Sequence, residues 1–126
     1  MAGYLLDSGV VIRHLRGDPT AVQLLRELGR RARLSASVVT HLEVSAGMRA
    51  HEEYHTRRLL SRFTAYVVDR SIAERAGEIL RRYPDRGIGV SDAIIAATAI
   101  QHGLTLVTLN ARHFPAPEVT LYSPPG

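Results

Sequence analysis

Tyr4-Leu-Leu-Asp-Ser-Gly-Val-Val-Ile12 is a short apolar run that stops at a carboxylate and then changes period. Gly3 to Leu6 reads as a strand and Ser8-Gly9 as turn or cap. Val10, Val11, His14 and Leu15 then form the inner side of a short helix. Asp18-Pro19 starts a helix, with aspartate as the cap and proline at the first helical position; Ala21, Leu24, Leu25 and Leu28 follow at helical spacing, and Arg30 to Arg33 close it where cations complement the negative end. Leu34 to Ser37 is a second strand, followed by a helix with an inner stripe of Val39, Leu42, Glu43 and Ala46. A charged helix from about His51 to Phe63 leads to a third strand, Ala65 to Val68.

Ser71-Ile-Ala-Glu74 has the form of a capping box and opens a helix that turns Ile72, Ala76, Ile79 and Leu80 inward, with the Glu78–Arg82 pair outside. Pro84 to Gly89 is a loop. Ser91-Asp92 then caps a helix, Ala93 to Gln101, that is apolar nearly all round and must be covered on most sides. Gly103 stops it, Leu104 to Leu109 is a fourth strand, and Val119 to Tyr122 a final edge strand. Short strands alternating with helices imply parallel β–α units. The expected fold class is α/β, a three-layer α/β/α sandwich around a short central parallel sheet, with residues 1–126 as a single domain.

Charged residues make up 22% and hydrophobic residues 45% of the 126, which are globular rather than disordered values. With no cysteine, a disulfide framework and a thiolate metal site are both excluded. The apolar run Ala93 to Ile100 is far shorter than the roughly 20 residues a membrane helix needs. The amino terminus has no basic segment of the kind that begins a signal peptide. The expected setting is therefore the cytoplasm, with no membrane partner. The net charge is +4 and the isoelectric point about 10.1, which suits a phosphate-rich partner. All sixteen basic residues are arginine, a composition that coding bias also explains, so the charge permits nucleic acid without requiring it.

Three carboxylates stand where a purely structural chain rarely wants them. Asp7 is at the carboxyl end of the first strand, the edge at which open α/β sheets hold ligands. Glu43 is on the apolar stripe of its helix, and Asp92 opens the most apolar helix of the chain. Each has an ordinary reading alone: a turn residue, a side chain that snorkels or pairs with arginine, a charge favouring the helix dipole. Brought together they change meaning. Two carboxylates about 4 Å apart repel by roughly 4 kcal/mol at an effective dielectric near 20, a large share of the roughly 5–15 kcal/mol that stabilises a domain. A divalent cation offsets that repulsion, and all-oxygen ligation favours Mg²⁺ or Mn²⁺ over zinc.

Tyr4 to Ile12 resembles the opening strand and turn of PIN domains. Ser37-Val-Val-Thr-His-Leu-Glu-Val-Ser-Ala-Gly47 is similar to their second motif, with Glu43 at its acid. Ser91-Asp-Ala-Ile-Ile-Ala-Ala-Thr-Ala99 with Leu106-Val-Thr-Leu-Asn-Ala-Arg-His-Phe114 resembles the third motif and closing strand. The likeness runs through essentially the whole chain in order, and extends to the toxin half of VapBC-type toxin–antitoxin pairs. It implies a PIN-like fold and an Mg²⁺- or Mn²⁺-dependent endoribonuclease. Asp7, Glu43 and Asp92 would hold the ion, Ser8, Thr108 and Asn110 would orient ligands or waters, and Arg86 and Arg112 would contact the RNA backbone. It implies a cognate VapB-type antitoxin as partner, with its tail in the acidic groove, and the excess of apolar helix also admits a homodimer. Two departures stand out: the small hydroxyl pair after the first acid is Ser8-Gly9 here, and Asn110 and His113 stand where many relatives carry another acid. The second keeps open a PIN-like module that binds RNA or a partner with weak or no cleavage; a PIN nuclease in RNA processing, in place of a toxin, is a separate alternative.

His51-Glu-Glu-Tyr-His55 matches the zinc-protease pattern H-E-x-x-H, but Arg49, Arg57 and Arg58 flank it and the segment reads as a solvated helix. His14, His41, His102 and His113 have no ligand spacing and read as surface or cap residues.

Overall fold

Leu5 and Leu6 are adjacent and fully buried, yet they belong to different cores. Side chains alternate across a strand, so this pair alone requires a sheet covered on both faces. The computed structural model describes residues 3–122. Their elements in chain order are β1 (Tyr4–Leu6), α1 (Ser8–Leu15), α2 (Pro19–Arg31), β2 (Leu34–Ser37), α3 (Val38–Gly47), α4 (Glu53–Leu60), β3 (Thr64–Tyr66), α5 (Arg70–Arg82), α6 (Val90–His102), β4 (Thr105–Val107) and β5 (Thr120–Leu121). The five strands are all parallel, in the order β3-β2-β1-β4-β5.

One face carries Leu5 and Leu106 against Ile72, Ala76 and Ile79 of α5 and Ala93, Ile95, Ala96, Ala97 and Ala99 of α6. The other carries Leu6, Ala36 and Val107 against Val10 and Val11 of α1, Leu25 and Leu28 of α2 and Leu60 of α4. The expected three-layer α/β/α arrangement is what the chain adopts. Two layers follow from connectivity: right-handed crossovers that first run outward from β1 to β2 and β3, then return to β4 on its other side, put their helices on opposite faces. No helix among the described residues is long and apolar enough to cross a membrane.

Several local readings change. Helix α5 begins at Arg70, and its cap is Asp69, whose Oδ1 accepts from the Ile72 backbone N–H at 2.8 Å; Ser71 lies inside the first turn and donates instead to Gln101. Likewise α6 begins at Val90 after Gly89, so Asp92 is a first-turn residue and not a cap. On α3 the stripe of Val39, Leu42, Glu43 and Ala46 is corrected: Thr40 and Val44 are the buried positions, Leu42 is 66% exposed, and Ala46 is exposed too. Apolar residues lie on nearly every side of this helix, so periodicity gives it no direction. Packing against both α1 and α6 decides which side is covered. The single charged helix from His51 to Phe63 is a 3-10 turn, Ala50–Glu52, followed by the shorter α4.

Candidate metal centre at the carboxyl edge of the sheet

In a parallel sheet the crevice beyond the strand ends opens where neighbouring connections leave in opposite directions. Here that point lies between β1, whose chain leaves toward β2, and β4, whose chain leaves toward β5. Asp7 follows β1 directly and Thr108 follows β4 directly, and the Asp7 backbone N–H donates to Val107 O at 3.0 Å. Thr108 Oγ1 donates to Asp7 Oδ2 at 2.8 Å. Its oxygen accepts in turn from the Asn110 backbone N–H at 2.9 Å. The Asp7 residue is only 7% exposed.

On the α1–α3 side, Ser8 Oγ stands 2.7 Å from Glu43 Oε1 and 2.9 Å from Thr40 Oγ1. A hydroxyl has one hydrogen, which Ser8 gives to the carboxylate, so Thr40 donates to Ser8. On the α6 side, His113 Nδ1 lies 3.0 Å from Asp92 Oδ2. Burial raises the Asp7 carboxyl above its ordinary value; the Thr108 hydroxyl opposes this and the charge of Asp92 adds to it. Burial also raises Asp92, with His113 opposing and the charge of Glu43 adding. The three acids thus form one electrostatic group, Asp7 with Asp92 and Asp92 with Glu43.

None of the three pairs with an arginine among the described residues, in a chain with sixteen basic residues. Arginine is spent on exposed pairs instead, Arg13–Asp18, Arg31–Glu27, Arg57–Glu53 and Arg82 with Glu78 and Glu118. Among the described residues no three His, Asp or Glu side chains stand close enough to hold a metal ion together. A divalent cation at this edge would complete its shell with waters and substrate phosphate. The donor set is all oxygen and no arginine among the described residues offsets its charge, so the residues present suit a hard divalent cation.

Of the residues singled out from sequence, Asp7, Ser8, Glu43, Asp92, Thr108 and Asn110 meet at this edge. Arg112, on the 3-10 turn Ala111–His113, and Arg86, in the loop before α6, are exposed and touch none of the acids. One participant, Thr40, escapes the sequence reading, and the contact made by a second, His113, was not foreseen. Thr40 lies one turn from Glu43, and that spacing was an available signal. His113, read as a surface or cap residue, contacts Asp92, and no local pattern announces that. The H-E-x-x-H match is broken by an element boundary: His51 is on the 3-10 turn, His55 on α4, both exposed, and Glu52 accepts from the Arg49 backbone N–H. A cavity of about 530 Å³ lies away from the acids, lined by His14, Arg26, Arg33, Arg62 and apolar residues of α2 and α4. It contains no carboxylate and belongs to a different region of the surface.

A parallel α/β sandwich with a cluster of acids at its switch point has the architecture of an α/β domain that binds its ligand at the sheet edge. The sequence pattern of the PIN domain matches residues 4–118, and the chain belongs to the PIN-domain family. It is 42% identical over 113 residues to Ribonuclease VapC10 of Mycobacterium tuberculosis, covering 88% of this chain and 85% of that protein. It is 39% identical over 114 residues to Ribonuclease VapC19 of the same organism, covering 88% of this chain and 91% of the other. Its fold is similar to a toxin–antitoxin complex from Klebsiella pneumoniae, with TM-score 0.80, 31% identity, and coverage of 94% of this chain and 96% of that one.

Proposed function

We propose that this protein is an Mg²⁺- or Mn²⁺-dependent endoribonuclease, one PIN-like domain spanning residues 1–126, acting as the toxin of a type II toxin–antitoxin pair in the cytoplasm. The observation that carries the reading is the group of three mutually interacting carboxylates, none paired with an arginine among the described residues, at the sheet's ligand-binding edge. The likeness to two ribonucleases supports RNA as substrate, and the likeness to a toxin–antitoxin complex supports a VapB-type antitoxin as partner.

Asp7, Asp92 and Glu43 are the residues that would hold the ion. When bound, such an ion supplies a water acidified for attack and positive charge against the phosphate. Thr108 fixes one oxygen of Asp7, and Ser8, itself oriented by Thr40, fixes one oxygen of Glu43. These hydroxyls orient the carboxylates that would hold the ion. Arg112 and Arg86, both exposed, are suited to backbone phosphates.

The test is incubation with a structured RNA in chelator, followed by addition of Mg²⁺ or Mn²⁺, for wild type and Asp7→Ala. Cleavage only with metal and only in wild type is expected, with Asp7→Ala still folded by circular dichroism. Undiminished cleavage by Asp7→Ala would remove the assignment. Because no three acidic or histidine side chains among the described residues converge on one point, a weakly cleaving RNA-binding module is the second reading. RNA binding that ignores metal and yields no product would favour it.

A further inference from the structure

Asp7 and Asp92 lie on different elements, and the segment after β4 is what links them. Thr108 donates to Asp7 Oδ2, and the Asn110 backbone N–H holds the Thr108 hydroxyl. Three residues on, the His113 ring reaches across to Asp92, with Nδ1 at 3.0 Å from Oδ2. The Asn110 side-chain nitrogen faces the same ring, 3.2 Å from each ring nitrogen. A carboxylate oxygen only accepts, so Nδ1 carries a proton in this contact.

Resting on the reading of the aspartates as ion ligands, the geometry points to His113 and Asn110 as positioning residues for Asp92. The ring fixes one carboxylate oxygen and thereby the direction of the other. The Asn110 side chain lies against the ring, and its backbone ties the same device to Asp7 through Thr108. A ring N–H at this position orients the acid without adding a fourth carboxylate to the group. His113 is also 40% exposed at its side chain, so it closes the rim of the site rather than filling its floor.

The experiment is calorimetric titration of Mn²⁺ into the full-length protein without RNA, for wild type, His113→Ala, His113→Asn and Asn110→Ala. Metal-free melting is recorded for each. The amide nitrogen of His113→Asn falls near the place of Nδ1, so it keeps the donor and loses the ring. His113→Ala is expected to weaken Mn²⁺ binding about 10-fold or more, the usual effect of removing a partner that orients a ligand, while its metal-free melting temperature stays close to wild type. His113→Asn should recover most of the affinity, and Asn110→Ala should fall between. In cleavage assays the loss should appear in kcat with KM for RNA unchanged. Wild-type affinity in His113→Ala overturns the inference alone, as does His113→Asn binding no better than His113→Ala, since the ring would then be needed as such. A wild-type protein that takes up no Mn²⁺ overturns the metal reading, and the inference with it.

Discussion

Asp7 is a carboxylate that the fold would hold more comfortably with its proton on. Burial raises its pKa in the folded chain, so the folded state binds the proton more tightly than the unfolded state does. Its contribution to stability is therefore complete below the ordinary aspartate value, falls as pH rises through the interval up to the raised value, and is gone above it. Asp92 behaves in the same sense. In chelator at neutral pH, Asp7→Asn should accordingly melt higher than wild type, with the gap closing toward about pH 4. Thermal melts across that pH range measure it, and an asparagine variant less stable than wild type at neutral pH would show that the charge is compensated. Added Mn²⁺ should stabilise wild type and leave Asp7→Asn nearly unmoved. A substitution that stabilises while abolishing cleavage is the signature of a site kept for chemistry.

At the level of the element, the two ends of α5 and α6 are set by different physics. Asp69 satisfies the Ile72 N–H that the start of α5 leaves without a helical partner. Asp69→Ala should cost about 1 kcal/mol in denaturant unfolding, against a smaller loss for Ser71→Ala, which removes only an exposed bond to Gln101. Equal losses would mean that Ser71 shares the cap. The end of α6 depends on backbone instead: Gly103 has φ +61°, with its N–H returned to Ile100 O. Gly103→Ala should cost about 1–2 kcal/mol from the left-handed conformation alone, since no atom stands within 4 Å of the added carbon. Helix stops of this kind were legible from sequence, because a glycine after an apolar helix has few other uses. Helix starts were less so: near α5, Asp69 and Ser71 both offer a capping oxygen, and the sequence pattern chose the wrong one.

Across the whole molecule, charge is divided by function. Acids that pair with arginine lie on the exposed surface, whereas the three at the sheet edge lack such partners. Arg26, Arg33 and Arg62 enter no ion pair among the described residues and line a basic cavity apart from the acids. RNA held by such arginines should bind with steep salt dependence, log K falling against log salt by about 0.7 per phosphate contact for a single strand. Anisotropy titrations over a salt series should give wild type and Asp7→Ala the same slope, because Asp7 acts on the ion and not on the backbone grip. A changed slope in the variant would place Asp7 in RNA binding instead.

The alternation of strand and helix, the two-sided burial of the sheet and the three acids could be read from residues 4–122 without coordinates. Each is a periodic or local property of the chain. What only the tertiary structure decided is which hydroxyl serves which acid: Thr108 meets Asp7 across 101 positions, Ser8 meets Glu43 across 35, and His113 meets Asp92 from another element. Those contacts depend on β4 returning beside β1 and on the side of α3 that packing covers, and neither choice is written in any local period.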